Sequence, residues 1–182
     1  AEPLAEVISP QRLDIAWPAS AKPGERPAWL VTEEDCRADD VLPTAASTSC
    51  RFGLLATEGR SPTAVAESVR DFAAGAVGDA LQRAGAKDTV CFPPDDAGLD
   101  ALTRALSRAG VDTVHVSWVP FGPVADTLAS LEPRLREAGI ALKRHVRDLD
   151  RAAWPFADRG FFKLKKRIPR IVEQLNLVPV HA

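Results

Sequence analysis

The 182-residue chain has no tyrosine and no methionine, and it contains only three cysteines and three histidines. The cysteines form no CxxC pair and are odd in number, which argues against a disulfide framework and favours a reducing, cytoplasmic environment. The histidines show neither HxxxH nor HxH spacing. No apolar run approaches the roughly 20 residues that cross a bilayer, so no membrane span is predicted.

The sequence also lacks the motifs that mark common catalytic and phosphate-binding loops. Neither GxGxxG nor GxxxxGK[ST] occurs, which excludes the two glycine-rich phosphate loops with strong signatures. Ser61 and Ser117 stand outside any nucleophile-elbow context, and no acid-base pair or nucleophilic triad can be assembled. The sequence therefore assigns no catalytic residue and leaves open whether the chain is an enzyme.

The composition is that of an ordinary globular protein. The chain is 46% hydrophobic and 26% charged, with a formal charge of -2, so neither disorder nor a global attraction to nucleic acid is expected. The length suits a single domain over residues 1–182. Within it, residues 1–27 are rich in proline and alanine and predict an irregular lead-in, whereas residues 154–182 predict a basic amphipathic extension.

The stretch from Val111 to Val146 organises the prediction of the fold. Residues 111–119 are β-branched and too short for a typical helix, which favours a strand. Residues 124–138 carry apolar side chains at helical spacing, and Gly139 follows as a stop signal. Residues 140–146 return to an apolar strand. The pattern predicts a βαβ unit.

The rest of the chain repeats this alternation. Strands are predicted at 28–35, 51–58 and 88–92. One helix is predicted to open at Ser61-Pro62 and end at Gly85, and another runs from Asp95 or Asp96 to Gly110. The buried stripe of the first of these helices is predicted to consist of Val65, Val69, Phe72, Val77, Ala80, Leu81 and Ala84. The fold class is therefore α/β, a doubly wound and mainly parallel Rossmann-like sheet of about five strands with helices on both faces.

Ligands of such a sheet bind beyond the carboxyl ends of its strands. The first strand ends in Thr32 and Glu33, and Asp95 follows the third. Carboxylates at such positions usually form turns or helix caps, and a ligand role is the alternative. The acidic run Glu33, Glu34, Asp35, Asp39 and Asp40 is read as a solvated face rather than as a Mg²⁺ site, and no metal is assigned.

Aromatic residues follow the central strand. Trp118, Pro120 and Phe121 precede Gly122 at the start of a helix. An aromatic pair at a strand exit can stack on a flat ring, such as a pterin, flavin, deazaflavin or adenine, and the alternative is that both rings cap the core. A phosphate could rest on the amides after Gly122. His115, in mid-strand, is read as a hydrogen-bonded core residue, and Cys91 as buried and inert.

The only dense basic patch lies near the C-terminus. It consists of Lys163, Lys165, Lys166, Arg167 and Arg170, interleaved with Phe161, Phe162, Leu164 and Ile168. Such a patch suits nucleic acid, an acidic partner or anionic lipid, and the alternative is a terminal element with a solvated basic face.

The order of elements and the segment WPFADRGFFKLKKRIP at 154–169 resemble the N-terminal α/β domain of the DNA photolyase/cryptochrome family. The match also includes LTRALSRAGVDTVHV and SWVPFGPVADTLASLEPRLREAGIAL, and it covers roughly residues 28–172. The family departs from this chain after the first strand, where TEEDCRADD replaces an Arg-Asp-Leu-Arg type of sequence. The helical domain that would bind FAD and damaged DNA is also missing.

The resemblance implies a domain that holds an antenna chromophore or a nucleotide and acts with a separately encoded flavin-domain protein or with DNA. It also implies that DNA repair is not carried by this chain alone. Two other functions remain open: a generic nucleotide-binding, stress-type module, and a non-enzymatic interaction or scaffold subunit that forms a homo-oligomer or binds a partner.

Overall fold

The computed structural model describes residues 24–38 and 50–176, without the side chains of residues 158 and 159. The described residues fall into two compact units, one ending at His145 and the other beginning at Val146. We call them the sheet unit and the C-terminal unit. The predicted lead-in before residue 24, the carboxylates Asp39 and Asp40, and the end of the predicted extension after residue 176 lie outside the described residues.

The sheet unit contains five parallel strands in the order β3-β2-β1-β4-β5, with helices on both faces. This confirms the predicted α/β fold class. The chain passes from β1 outwards to β2 and β3, crosses back to β4 on the other side of β1, and continues to β5, which makes the sheet doubly wound. The strands are β1 (Pro27–Thr32), β2 (Cys50–Leu54), β3 (Cys91–Phe92), β4 (Thr113–Ser117) and β5 (Ala141–His145).

Three helices cover the sheet. They are α1 (Glu67–Arg83), α2 (Asp96–Arg108) and α3 (Pro123–Glu137). One face of the sheet packs against α2 and α3 in a continuous apolar core. The opposite face packs against α1 over β1 and β2. The apolar residues that recur at helical spacing along α2 and α3 are buried, whereas Ala109 and Ala138, which follow the last turns, are exposed. The buried ones are Leu99, Leu102, Leu106, Val124, Leu128, Leu131 and Leu135.

The start of α1 differs from the prediction. The helix begins at Glu67 rather than at Ser61-Pro62, because the Ser61 hydroxyl accepts a hydrogen bond from the Thr63 amide, two residues on, and forms a turn instead of a helix cap. Val69 and Phe72 were predicted to be buried and are exposed, and the Phe72 side chain is 78% accessible.

Length explains the exposed half of α1. Seventeen residues extend about 25 Å at 1.5 Å per residue, whereas the five residues of β2 extend only about 17 Å. Only the second half of α1, with Val77, Ala80 and Leu81, reaches over the sheet. The predicted apolar stripe is therefore correct in its second half and wrong at Val69 and Phe72.

The predicted strands end earlier than their apolar patterns suggest. β1 stops at Thr32, because the Asp35 amide donates to the Thr32 carbonyl and turns the chain. β2 stops at Leu54, and a 3₁₀ turn occupies Thr57–Arg60. These two turns place polar residues directly at the carboxyl edge of the sheet.

The C-terminal unit is helical. It contains α4 (Asp148–Ala153), a 3₁₀ segment (Trp154–Arg159), α5 (Phe161–Lys165) and α6 (Ile168–Gln174). Helix α4 packs against α6, and α5 packs against the 3₁₀ segment. The basic stretch forms two short helices, and Pro169 lies in the first turn of α6, where a missing amide is tolerated.

Candidate functional site

The point where the sheet changes its winding direction lies between β1 and β4. In open α/β sheets the crevice beyond the carboxyl ends of these two strands is the usual ligand site. Thr32 ends β1, and Ser117 ends β4. We call the ends of β1 and β4, with the first turn of α3, the switch-point rim.

Two buried hydroxyl groups at this rim lack hydrogen-bond partners. Thr32 Oγ1 and Ser117 Oγ are both inaccessible to solvent, and neither bonds to any residue in the described part of the chain. Strand alternation places Thr32 on the same sheet face as Leu30, which α2 and α3 cover. Ser117 lies on the opposite face, together with His115. A buried hydroxyl without a partner costs roughly 1–3 kcal/mol, so each is a place where a ligand atom would recover free energy.

The first turn of α3 completes the rim. Gly122 has φ of 103°, a conformation that favours glycine, and no side chain caps the helix start. Gly59, in the 3₁₀ turn after β2, lies against Pro123, because a Cβ on Gly59 would stand 2.8 Å from the Pro123 Cβ. The turn that follows β2 and the start of α3 are therefore in contact.

The acidic turn after β1 is neutralised within the protein. The Glu33 side chain is only 3% accessible, and its Oε1 accepts from Arg60 Nε at 3.0 Å. Its other oxygen accepts a short hydrogen bond from the Thr57 hydroxyl. Arg60 also donates to Glu34 Oε1 at 2.8 Å, and the hydrogen bond to Glu33 raises the pKa of Arg60 above its ordinary value. Glu33 thus holds the turn after β1 against the turn after β2.

This pairing gives the first mutational prediction. Arg60→Met removes the cation and keeps the apolar stem, so that among the described residues only the Thr57 hydroxyl remains hydrogen-bonded to the buried Glu33 carboxylate. We expect a loss of about 1–2 kcal/mol in the free energy of unfolding, less than for a fully buried pair because Arg60 is partly exposed. Urea denaturation measures it.

The matched control is Arg70→Met. Arg70 pairs with Glu58 at 2.8 Å, but both side chains are about half exposed, so the expected loss is below about 0.5 kcal/mol. Equal losses in the two variants would contradict a special role for the Glu33 pair.

The two rings of the predicted aromatic pair differ in their exposure to solvent. Trp118 is half-buried and its amide donates to the His145 carbonyl at 2.7 Å, whereas the Phe121 ring is 66% accessible and Pro120 is exposed. Trp118 therefore belongs in part to the packed edge of β4 and β5. Phe121, beside the start of α3, is the ring that is open to a ligand.

Asp95 has a structural partner and lies away from this rim. Its Oδ1 accepts from the Gly98 amide at 2.7 Å, which confirms the predicted cap of α2. Asp95 follows β3, an edge strand three positions from β4, so about 14 Å of sheet separates the two exits. The structure brings Thr32, Phe121 and Gly122 to one rim but leaves Asp95 outside it.

A second polar cluster lies on the α1 face of the sheet. The register places Trp29, His115 and Lys143 side by side on β1, β4 and β5, and His145 follows Lys143 on the same face. His115 Nδ1 lies 2.6 Å from His145 Nε2, and His115 Nε2 lies 3.6 Å from Glu25 Oε2. Lys143 Nζ donates to the other oxygen of Glu25. We call Glu25, His115, Lys143 and His145 the histidine cluster.

Burial keeps both histidines neutral. It lowers the pKa of His115 and, with the charges that His115 and Lys143 add, lowers the pKa of His145 to about 4. Because the Glu25 carboxylate only accepts, the favoured tautomer of His115 carries its proton on Nε2, towards Glu25, and accepts at Nδ1 from His145. His115 is fully buried, so the predicted hydrogen-bonded core histidine is confirmed.

His145 was not predicted as the partner of His115. The signal was present: β4 and β5 are parallel strands in which residue 115 pairs with residue 143, so position 145 falls on the same face. Neither strand reveals the contact by itself, because the contact depends on the register between β4 and β5.

The three cysteines are free thiols of intermediate exposure. Burial raises the pKa of Cys91. The pKa of Cys36 is also raised, mainly by burial and to a smaller extent by the negative charge of Asp35. Both thiols therefore favour the protonated, less reactive form. Cys91 is less buried than predicted but has the predicted low reactivity. No three potential metal ligands converge among the described residues.

The predicted basic residues are placed in α5, the turn after it, and α6. All five are exposed, and the Arg167 guanidinium lies 4.9 Å from the centroid of the Phe156 ring. Within residues 24–38 and 50–176 no helix has the length and apolarity to cross a membrane.

Comparison with the models of known protein families and with curated proteins finds no match for this chain.

Proposed function

We propose that this chain is a ligand-binding α/β domain, related to the N-terminal domain of the photolyase/cryptochrome family, that holds a flat ring with an attached anionic group at the switch-point rim. A nucleotide is the best fit, with an adenine or flavin ring on Phe121 and a phosphate at the first turn of α3. The described residues of the rim include no general acid-base pair, which supports a binding role in concert with a partner. The free thiols favour a reducing cytoplasm.

The observation that carries this proposal is the buried Thr32 Oγ1, at the end of β1 and on the sheet face that α3 covers, which bonds to no described residue. Ser117 Oγ, at the end of the adjacent strand, lies on the opposite face of the sheet. A start of α3 without a side-chain cap supplies backbone donors for an anion. An exposed Phe121 ring supplies a stacking surface. These three features meet at the place where the fold class binds ligands.

The test is titration of the purified chain with AMP, ATP, FMN, FAD and a reduced folate, followed by calorimetry and thermal shift. Extraction of the protein as purified, with absorption and mass spectra, identifies any ligand already bound. Binding of at least one nucleotide supports the proposal, and the absence of binding by all five compounds would contradict it.

Two variants locate the site. Phe121→Ala is expected to weaken nucleotide binding about 5- to 30-fold through lost stacking, whereas Phe72→Ala, on an equally exposed ring of α1, leaves binding unchanged. Thr32→Val is expected to weaken binding about tenfold and yet to leave the free protein as stable as before or more stable, because it removes an unsatisfied buried hydroxyl. A Thr32→Val protein that is destabilised and binds normally would show that the hydroxyl serves the fold.

A further inference from the structure

Exposed phenylalanines and exposed cations stand together in the C-terminal unit. Phe161 and Phe162 begin α5 and are 61% and 79% accessible. Lys165 comes four residues after Phe161, and Lys166 comes four residues after Phe162. In a helix this spacing places each cation beside one ring. Arg170 is exposed in α6. We call Phe161, Phe162, Lys165, Lys166 and Arg170 the Phe-Lys patch.

The cations of this patch differ from most of those in the sheet unit. Lys165, Lys166 and Arg170 form no ion pair with a described residue, and no acidic residue occurs between residues 160 and 170. Elsewhere a carboxylate partner is present for Arg26, Arg60, Arg70, Arg83, Arg134, Arg136, Lys143 and Arg144. Most cations of the sheet unit therefore have a carboxylate neighbour, whereas the cations of this patch face solvent.

The two rings form one apolar protrusion. Their centroids lie 5.9 Å apart and their planes are inclined by 62°, an edge-to-face pair. Successive stacked bases need parallel ring faces, which this pair does not offer. An apolar protrusion surrounded by cations instead matches the boundary between acyl chains and phosphate groups, where rings insert and lysines reach the headgroups.

We propose that the Phe-Lys patch binds the surface of a membrane rich in anionic lipid, with Phe161 and Phe162 inserted among the headgroups and Lys165, Lys166 and Arg170 at the phosphates. Charge complementarity selects the anionic surface, since each cation near such a surface strengthens binding about fivefold. This interaction is peripheral, and it is independent of ligand binding at the switch-point rim.

The experiment uses the whole chain and sedimentation of sucrose-loaded vesicles. We expect binding to phosphatidylcholine vesicles that contain 30% phosphatidylserine, at least tenfold weaker binding to pure phosphatidylcholine, and a marked loss between 0.05 M and 0.5 M salt. Lys165→Glu/Lys166→Glu and Phe161→Ser/Phe162→Ser are each expected to weaken binding to the anionic vesicles at least tenfold.

Matched variants control for charge and apolarity alone. Arg104→Glu/Arg108→Glu reverses two exposed cations of α2, and Phe72→Ser removes an equally exposed ring of α1. Both should bind the anionic vesicles within about twofold of the unchanged protein, apart from the small general effect of net charge. Circular dichroism and thermal unfolding establish that all four variants are folded.

Three results would overturn the proposal. They are the absence of binding to the anionic vesicles, unchanged binding after replacement of both phenylalanines, and equal loss in the control variants. Salt-sensitive binding of a single-stranded oligonucleotide without binding to vesicles would assign the patch to nucleic acid instead.

Discussion

Lowering the pH from 7 to 5 is expected to reduce the free energy of unfolding by roughly 2 kcal/mol through the histidine cluster alone. The cause is the His145 imidazole, whose pKa falls to about 4 because of burial and of the charges of His115 and Lys143. An unfolded chain protonates the same ring near pH 6.5. Acid therefore favours the unfolded state over the interval between these two values.

The sign follows from proton binding. Above pH 6.5 neither state binds the proton, and the stability of the folded protein is complete. Between about pH 6.5 and 4 the unfolded state binds more protons than the folded state, so stability decreases as the pH falls, by up to about 1.4 kcal/mol per pH unit for one histidine. The lowered pKa of His115 acts in the same direction. Glu25 is the only carboxylate in this cluster and offsets part of the effect, because its charge favours the protonated rings.

Urea denaturation at several pH values between 7 and 5 measures the effect, since ordinary carboxylates titrate mostly below this interval. In His115→Gln/His145→Gln the slope of stability against pH should be shallower by about 1 kcal/mol per pH unit or more. Titration of the ring proton signals by NMR gives an independent measurement in the unchanged protein. A His145 that titrates near pH 6.5, with the same slope in the double variant, would refute the assignment.

Much of the sheet unit was predictable because local pattern and tertiary environment agree there. The strand at Val111–Val119, the helix that ends before Gly139 and the parallel return strand all rest on apolar periodicity and a glycine stop, and the structure contains each of them. The prediction failed at the start of α1, where Ser61-Pro62 has the composition of a helix start but forms a turn. A serine hydroxyl that accepts from the amide two residues on forms a turn, whereas one that accepts from the amide three residues on caps a helix. The residue types alone do not distinguish these two cases.

The candidate site was predictable only in outline. The predicted strand and helix boundaries placed Thr32 at the end of the first strand and Gly122 at the start of a helix, and the structure has both residues there. The pairing of Glu33 with Arg60, 27 residues away, depends on a 3₁₀ turn that apolar periodicity does not encode. The unpartnered state of Ser117 and the contact between His115 and His145 depend on strand register, which a single strand does not reveal.

Gly53→Val is expected to destabilise the protein by about 3 kcal/mol or more, and Gly53→Ala by about 2 kcal/mol. Gly53 lies in β2, against Val77 of α1 and Cys91 of β3. A Cβ there would overlap the Cys91 Sγ and stand 2.8 Å from Val77 Cγ1, inside the limit for real contacts. Overpacking of a core costs 1–3 kcal/mol, and the better strand propensity of alanine or valine offsets only part of this. Truncation of one neighbour, in Gly53→Ala/Cys91→Ala, should recover a measurable fraction of the loss.

The glycines of α1 provide the opposite result. Gly75 and Gly78 lie inside α1, and a Cβ at either position would meet no atom within 4 Å. Gly75→Ala should therefore stabilise the protein by about 0.5–1 kcal/mol, because alanine favours the helix and restricts the unfolded chain. Urea denaturation of the alanine variants at positions 53 and 75 should give changes of opposite sign. Two losses of equal size would mean that α1 packs through its own glycines. A loss confined to position 53 would establish that the close packing of α1 on the sheet depends on the glycine of the strand and not on the glycines of the helix.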